Sequence, residues 1–253
     1  MNDSKMETQL IHRENGIDYV LLTRNRLEDA LRIQASTMAN ENIAIGLDMF
    51  EESGAAEEMQ LIFREVVKDG VSIIALDSVT NEIAGVIFNK IHISLKDGEK
   101  DALESFIEKN IKHRSCIELI NFLDNVESKV NIFEKYNVDA ILEMFYLGTD
   151  TKYRGRGIGM QLTECSLKLG KMLQNGEIKK VSMVANERIV LEAAIPKVAI
   201  AVYTSNYSIR IAEKLNGEFL ANAFYEDFII NGKRMSERID SNHKKVALVA
   251  YKL

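Results

Sequence analysis

The sequence is poor in residues that stiffen or cross-link a chain. It contains one proline, two cysteines and no tryptophan among its 253 residues. Cys116 and Cys165 are too few for a disulfide scaffold and too isolated for a metal cluster, which favours a reducing intracellular compartment. The absence of tracts rich in proline and glycine leaves no linker at which to place a domain boundary. We therefore expect a single domain covering residues 1–253.

Long apolar runs and excess positive charge are also missing. No apolar run reaches the roughly 18 residues of a membrane span, and residues 1–10 lack the basic start and apolar stretch of a secretory signal. The 32 basic and 38 acidic residues give a net charge of −6, which disfavours nucleic-acid binding and favours a cationic partner. The four histidines lack metal-ligand spacing. We expect a cytoplasmic monomer without metal, nucleic-acid or membrane partners.

Apolar periodicity predicts a mixture of strands and helices. A long charged stretch at 95–138 has helical spacing and reads as a helical excursion, whereas no element can be placed at 174–196. Other helices are expected after Asn25, at 55–68, after Gly157 and at 205–215. Strands are expected at 18–22, 71–76, 83–93, 140–148, 197–203, 218–230 and 246–251, with the second and third forming a hairpin.

A glycine-rich loop joins a predicted strand to an amphipathic helix. Its sequence, from Arg154 to Gly159, is RGRGIG. Glycines allow backbone N–H groups to approach a ligand, and the helix start adds about half a positive charge. The loop therefore predicts a diphosphate cradle, with a solvated turn as the alternative. Met160 at the last glycine position disfavours the Rossmann fingerprint, and the absence of a Lys-Ser/Thr pair disfavours the P-loop.

The loop also matches the pattern R-x-x-G-x-G. In this context the sequence resembles the GCN5-related N-acetyltransferase (GNAT) superfamily, whose members hold the pyrophosphate of acetyl-CoA on this loop. TSNYS at 204–208 and IAEKLNG at 211–217 extend the resemblance to the insect arylalkylamine N-acetyltransferase-like group, over nearly the whole chain. The resemblance implies an α+β GNAT fold. Its mixed central sheet of about seven strands is flanked by helices, with a helical insertion before the coenzyme-binding strand.

The resemblance also implies a set of coenzyme-binding residues. Backbone N–H groups at the end of the strand would stabilise the oxyanion of acetyl transfer and pair with the pantetheine arm like an added strand. The alternative is a strand paired within the sheet, without splaying. Arg154 and Arg156 would pair with phosphates, unless they are merely solvated. The implied residues are Leu147, Gly148, Thr149, Arg154, Gly155, Arg156, Gly157, Ile158, Gly159 and Met160.

Three further residues are implied as catalytic. A primary amine with a pKa near 10 has only about one nucleophilic molecule in a thousand at neutral pH, so acetyl transfer needs a base. Glu41 matches the early acidic residue of the insect group, although the family's following proline is absent. Thr204 and Ser208 match a pair of active-site hydroxyl residues, with helix N-capping as the alternative. Ala212 stands where many superfamily members have a tyrosine acid, which leaves Tyr207 as a candidate substitute.

These features together predict an acetyl-CoA-dependent N-acetyltransferase acting on a small primary amine. The resemblance implies arylalkylamine acceptors such as dopamine, serotonin, tyramine or octopamine. Transfer would be direct, within a ternary complex and without a covalent enzyme intermediate. Polyamines or agmatine, protein amines, and a non-catalytic CoA-binding role remain the alternatives.

Overall fold

The computed structural model of the chain describes residues 9–96, 99–185, 189 and 191–253. The strands in these ranges are β1 (Leu10–Glu14), β2 (Ile17–Leu21), β3 (Ile73–Asp77), β4 (Ile83–Ile93), β5 (Ala140–Thr149), β6 (Val198–Tyr203), β7 (Glu218–Phe224), β8 (Ile229–Ile230), β9 (Lys233–Arg234) and β10 (Lys245–Lys252). The helices are α1 (Leu27–Met38), α2 (Asn42–Gly46), α3 (Ala55–Val66), α4 (Ala102–Asn110), α5 (Arg114–Glu127), α6 (Ile132–Tyr136), α7 (Ile158–Gln174) and α8 (Asn206–Lys214).

Eight of these strands form one mixed sheet in the order β1-β2-β3-β4-β5-β6-β10-β7, and β8 pairs with β9 in a separate hairpin. Neighbouring strands are antiparallel except β5 and β6, which are parallel. The predicted mixed sheet is confirmed, with β1 as an additional strand. β1 was missed because its sequence, LIHRE, is largely polar and lies at an exposed sheet edge.

Two helices cover opposite faces of the sheet beside β5. A Cβ atom on Gly148 would lie 2.5 Å from Oγ1 of Thr37 in α1, so glycine permits this close approach. A Cβ atom on Gly85, which pairs with the adjacent Thr149, would instead meet α7. Since adjacent strand residues point to opposite faces, α1 and α7 enclose the sheet between them. The nine buried residues that begin β4 fit a strand covered on both faces.

The predicted helical excursion consists of α4, α5 and α6, which lie between β4 and β5 in the chain. Both cysteines are buried, and neither forms a disulfide. No helix in the described ranges is both long and apolar enough to span a bilayer.

The strand predicted over residues 218–230 is wrong in its second half. β7 ends at Phe224, and Tyr225–Asp227 form a 3-10 turn. The chain turns here because the Tyr225 side chain is fully buried and its hydroxyl donates to the carbonyl of Thr204 at 2.6 Å. The apolar residues that follow belong partly to the small β8–β9 hairpin. The strand therefore ends one residue before this buried tyrosine instead of continuing to residue 230.

Candidate functional site

The centre of the sheet opens between its two parallel strands. β5 and β6 pair over only three residue pairs, from Ile141 with Val198 to Glu143 with Ile200. β5 continues to Thr149 along β4, but no further β5–β6 pairs occur among the described residues. The strands therefore diverge beside Leu147, and a cavity of about 910 Å³ extends from the gap. A strand simply paired on both sides would leave no such gap.

The glycine loop lies at one end of this cavity. Gly155 and Gly157 both have φ of +78°, a left-handed conformation that glycine adopts without steric cost. A Cβ atom at either position would meet no protein atom within 4 Å, so the space beside them is open. The first hydrogen bond within α7 runs from the N–H of Gln161 to the carbonyl of Gly157 at 3.1 Å. The preceding N–H groups of the helix are therefore available to an anion.

Nine of the ten implied coenzyme-binding residues line the cavity. They are Leu147, Gly148, Thr149, Arg154, Gly155, Gly157, Ile158, Gly159 and Met160. The remaining residue, Arg156, does not line it. Its guanidinium carbon lies 5.3 Å from the centre of the Tyr153 ring, a cation–π contact on the loop.

Glu41 lies in the same cavity, at the start of α2. One carboxylate oxygen, Oε2, accepts the N–H of Ile43 at 2.6 Å, so Glu41 caps the helix. The other, Oε1, accepts a hydrogen bond from the hydroxyl of Thr204. The structure thus brings together two of the three residues implied as catalytic, which are 163 positions apart in the chain.

Burial raises the pKa of Glu41 above its ordinary value. The hydrogen bonds from Thr204 and from nearby backbone N–H groups, and the proximity of His243, act in the opposite direction. Glu41 is half-buried as a residue and lines the cavity. A carboxyl group with a raised pKa in a cleft is well suited to accept a proton near neutral pH.

Thr204 and Ser208 have different surroundings. Ser205 is the N-cap of α8 and accepts the N–H of Ser208 at 3.1 Å, while the hydroxyl of Ser208 accepts the N–H of Ser205 at 3.1 Å. Ser208 therefore completes a capping box, although it also lines the cavity. Thr204 precedes the cap, and its hydroxyl points to Glu41 instead.

Several cavity residues could not be assigned from the sequence. His243 is buried, and its Nδ1 accepts the N–H of Asn206 at 3.1 Å. No spacing signal connects it to Glu41, because it lies in the turn before β10. Arg210 and Lys214 also line the cavity, as does Tyr207, the candidate acid named from the sequence. The two basic residues lie three and seven positions after Tyr207 in α8, a spacing that could have indicated a shared face.

Glu143 is a second carboxyl group in the cavity wall. It is 6% exposed, and its Oε2 lies 2.7 Å from Nε2 of His92. Burial, with added repulsion from Glu143 and Asp124, raises the pKa of Glu127 in α5. The carboxyl groups of Glu143, Asp124 and Glu127 therefore lie near one another, with His92 beside Glu143. Within the described ranges, no group of three or more histidine, cysteine, aspartate or glutamate side chains is arranged to hold a metal ion.

No family model matches the chain, but solved structures do. Arylalkylamine N-acetyltransferase 2 from Aedes aegypti gives a TM-score of 0.72 at 21% identity, covering 94% of this chain and 99% of that chain. Mosquito arylalkylamine N-acetyltransferase like 5b gives a TM-score of 0.71 at 18% identity, covering 94% of this chain and 100% of that chain. The Drosophila melanogaster polyamine N-acetyltransferase, which forms N-acetylagmatine, gives a TM-score of 0.69 at 19% identity, covering 94% of this chain and 100% of that chain. The chain therefore has the GNAT fold that its sequence predicts.

Proposed function

We propose that this chain, with its GNAT fold, is an acetyl-CoA-dependent N-acetyltransferase that acts on a small primary amine. The observation that carries the proposal is that one cavity contains both the glycine loop and the Glu41–Thr204 pair. The loop has the chemistry to hold a diphosphate, and the carboxylate has the chemistry to accept a proton. Their opening into the same space supports group transfer between two bound molecules.

Acetyl-CoA would supply an activated acyl group, and the residues present fit its binding. The left-handed glycines leave open space beside free N–H groups at the start of α7. Arg154, Arg210 and Lys214 place three positive charges around the same cavity, where phosphates would be favoured. The unpaired edge of β5 at 147–149 can pair with an extended pantetheine arm as another strand would.

Glu41 would take the proton of the incoming amine, directly or through water. The hydrogen bonds from Thr204 and Ile43 hold its carboxylate in place. N–H groups at the end of β5 would stabilise negative charge that develops on the acyl oxygen. Ala212 is fully buried and has no acidic group. A thiol with a pKa near 8.5 needs little help to leave, and Tyr207, at 72% exposure, is the candidate for returning its proton.

We favour an arylalkylamine as the acceptor. The cavity wall includes apolar and aromatic side chains suited to a ring: Met59, Phe63, Leu119, Leu123 and Phe145. A polyamine or agmatine is the second candidate, because the buried carboxyl group of Glu143 lines the same cavity and can accept a hydrogen bond from a second amine. The unpaired, buried cysteines support the expected cytoplasmic location.

A thiol-release assay with acetyl-CoA tests the proposal. We expect turnover with aromatic amines such as tyramine and serotonin, and slower turnover with spermidine, agmatine and peptides. Preference for peptides would contradict the small-molecule assignment. Binding of acetyl-CoA with no release across the whole panel would instead favour a non-catalytic CoA-binding module.

A further inference from the structure

Asn42 follows Glu41 and occupies the first position of α2. Proline is favoured at the first position of a helix because its missing N–H would have no partner there. Glu41 has φ of −81° and ψ of 130°, the extended conformation that a residue before proline adopts. The backbone would therefore accept proline at this position, but the chain has asparagine. Because the backbone fits either residue, the role of asparagine at this position lies in its side chain.

That side chain forms a long-range hydrogen bond. Its Nδ2 donates to the carbonyl oxygen of Thr204 at 2.8 Å, across 162 positions of sequence, and Asn42 is 7% exposed. The hydroxyl of Tyr225 donates to the same carbonyl at 2.6 Å. Two buried donors from separate elements therefore fix the main chain of Thr204. Because the Thr204 hydroxyl in turn donates to Glu41, the contacts form a closed ring that begins and ends at adjacent residues, Glu41 and Asn42.

We propose that Asn42 is a positioning residue for the proton-accepting carboxylate, acting through Thr204. The proposal rests on the proposed function, in which Glu41 accepts the amine proton. The direction of the Thr204 hydroxyl depends on where its main chain lies, and the Asn42 amide ties that main chain to the helix that Glu41 caps. The Asn42 amide thus holds the Thr204 hydroxyl in a fixed position relative to the Glu41 carboxylate.

The first test is the kinetics of Asn42→Ala. We expect kcat/KM for the amine to fall on the order of tenfold, because a small displacement of a catalytic group is costly. KM for acetyl-CoA should stay unchanged. Asn89→Ala is the matched control, since Asn89 is also buried and its Nδ2 donates to the carbonyl of Val71, likewise at 2.8 Å. Asn89 lies in β4 and does not line the cavity.

The second test is the titration of Glu41, followed by carbon NMR of its carboxyl group and by the pH profile of kcat/KM. The Thr204 hydrogen bond lowers the pKa of Glu41, so loss of its alignment in Asn42→Ala should raise that pKa. Thr204→Val should shift it in the same direction. In the Thr204→Val background, Asn42→Ala should add no further shift, because the hydroxyl is already gone. Among the described residues, His243, Tyr146 and Tyr225 interact electrostatically with Glu41, and all three remain in every variant.

Three results would overturn the inference. They are an unchanged Glu41 titration in Asn42→Ala, an equal shift in Asn89→Ala, and additive shifts in the double variant. Asn42→Ser, whose hydroxyl is too short to reach Thr204, replaces Asn42→Ala if the latter does not fold. Failure of the proposed function has a different signature, because no amine would then be acetylated, or Glu41→Gln would keep its full rate at pH 7. The NMR titration tests Asn42 in those cases too.

Discussion

Glu41 has contacts that favour opposite protonation states. Burial favours the neutral acid, whereas Thr204 and the N–H of Ile43 favour the carboxylate. Because burial has the larger effect, the pKa is raised. The carboxylate that accepts protons is therefore lost at a higher pH than for an exposed glutamate.

Glu41→Gln should lower kcat/KM at pH 7 by about a hundredfold or more, the usual contribution of a general base. The deficit should shrink at alkaline pH, where more of the amine is already uncharged. In the unaltered protein, activity should fall as the pH decreases through the raised pKa of Glu41. In the variant this step should be absent, and the rate should simply follow the uncharged fraction of the amine. Glu57→Gln, which removes an equal charge from the exposed face of α3, is the control. A variant rate equal to that of the unaltered protein at pH 7 would refute the base assignment.

For single residues, the sequence was a better guide to which side chains lie in the cavity than to which side chains contact one another. Glu41, Thr204 and Ser208 all lie in the cavity, yet only Thr204 contacts Glu41, because Ser208 completes the cap of α8. Sequence spacing does not determine which way a side chain points, so the contact of Arg156 with Tyr153 could not be foreseen. His243 gave no signal, since its position depends on the turn before β10.

The loop from β5 to α7 is the element that the sequence described best, because its geometry is local. Glycine at 155 and 157 corresponds to left-handed backbone at both positions. The continuation of β7 was the weakest prediction, because Tyr225 turns the chain through a contact with Thr204 that is distant in sequence. The glycine loop was therefore predictable from its own residues. The end of β7 was not, because it depends on a hydrogen bond between residues far apart in the sequence.

Gly157→Glu should abolish the rise in melting temperature that acetyl-CoA causes, because it places a carboxylate in the open space beside the loop. At a ligand concentration of 100 times Kd, that rise corresponds to about 2.7 kcal/mol. Gly176→Glu is a close control, with φ of +70° against +78° and no protein atom within 4 Å of its Cβ position. Both variants incur similar backbone strain. A ligand-induced shift retained by Gly157→Glu would refute the cradle.

On the scale of the whole molecule, the sheet consists of two blocks. β1 to β5 form one block, β6, β10 and β7 form the other, and only three residue pairs join them. α7 contacts strands of both blocks, including β4 and β6. A ligand bound in the gap would supply the pairing that β5 lacks beyond Glu143.

Acetyl-CoA should therefore slow hydrogen exchange at the gap-facing amides of residues 144–149. Amides of β3, which is paired with β2 and β4 on its two sides, should exchange equally with and without the coenzyme. Exchange measured by NMR resolves the two groups. Equal protection of residues 144–149 in both states would mean that the strand gains no partner on binding.

The two cysteines have a practical consequence. Cys116 and Cys165 are 0% and 2% exposed, and burial raises the pKa of each thiol to about 12. A folded sample should therefore react slowly with thiol-directed dyes, so colour in such an experiment reports the released coenzyme rather than the protein. A cysteine introduced on the surface would become the preferred attachment point for a fluorophore.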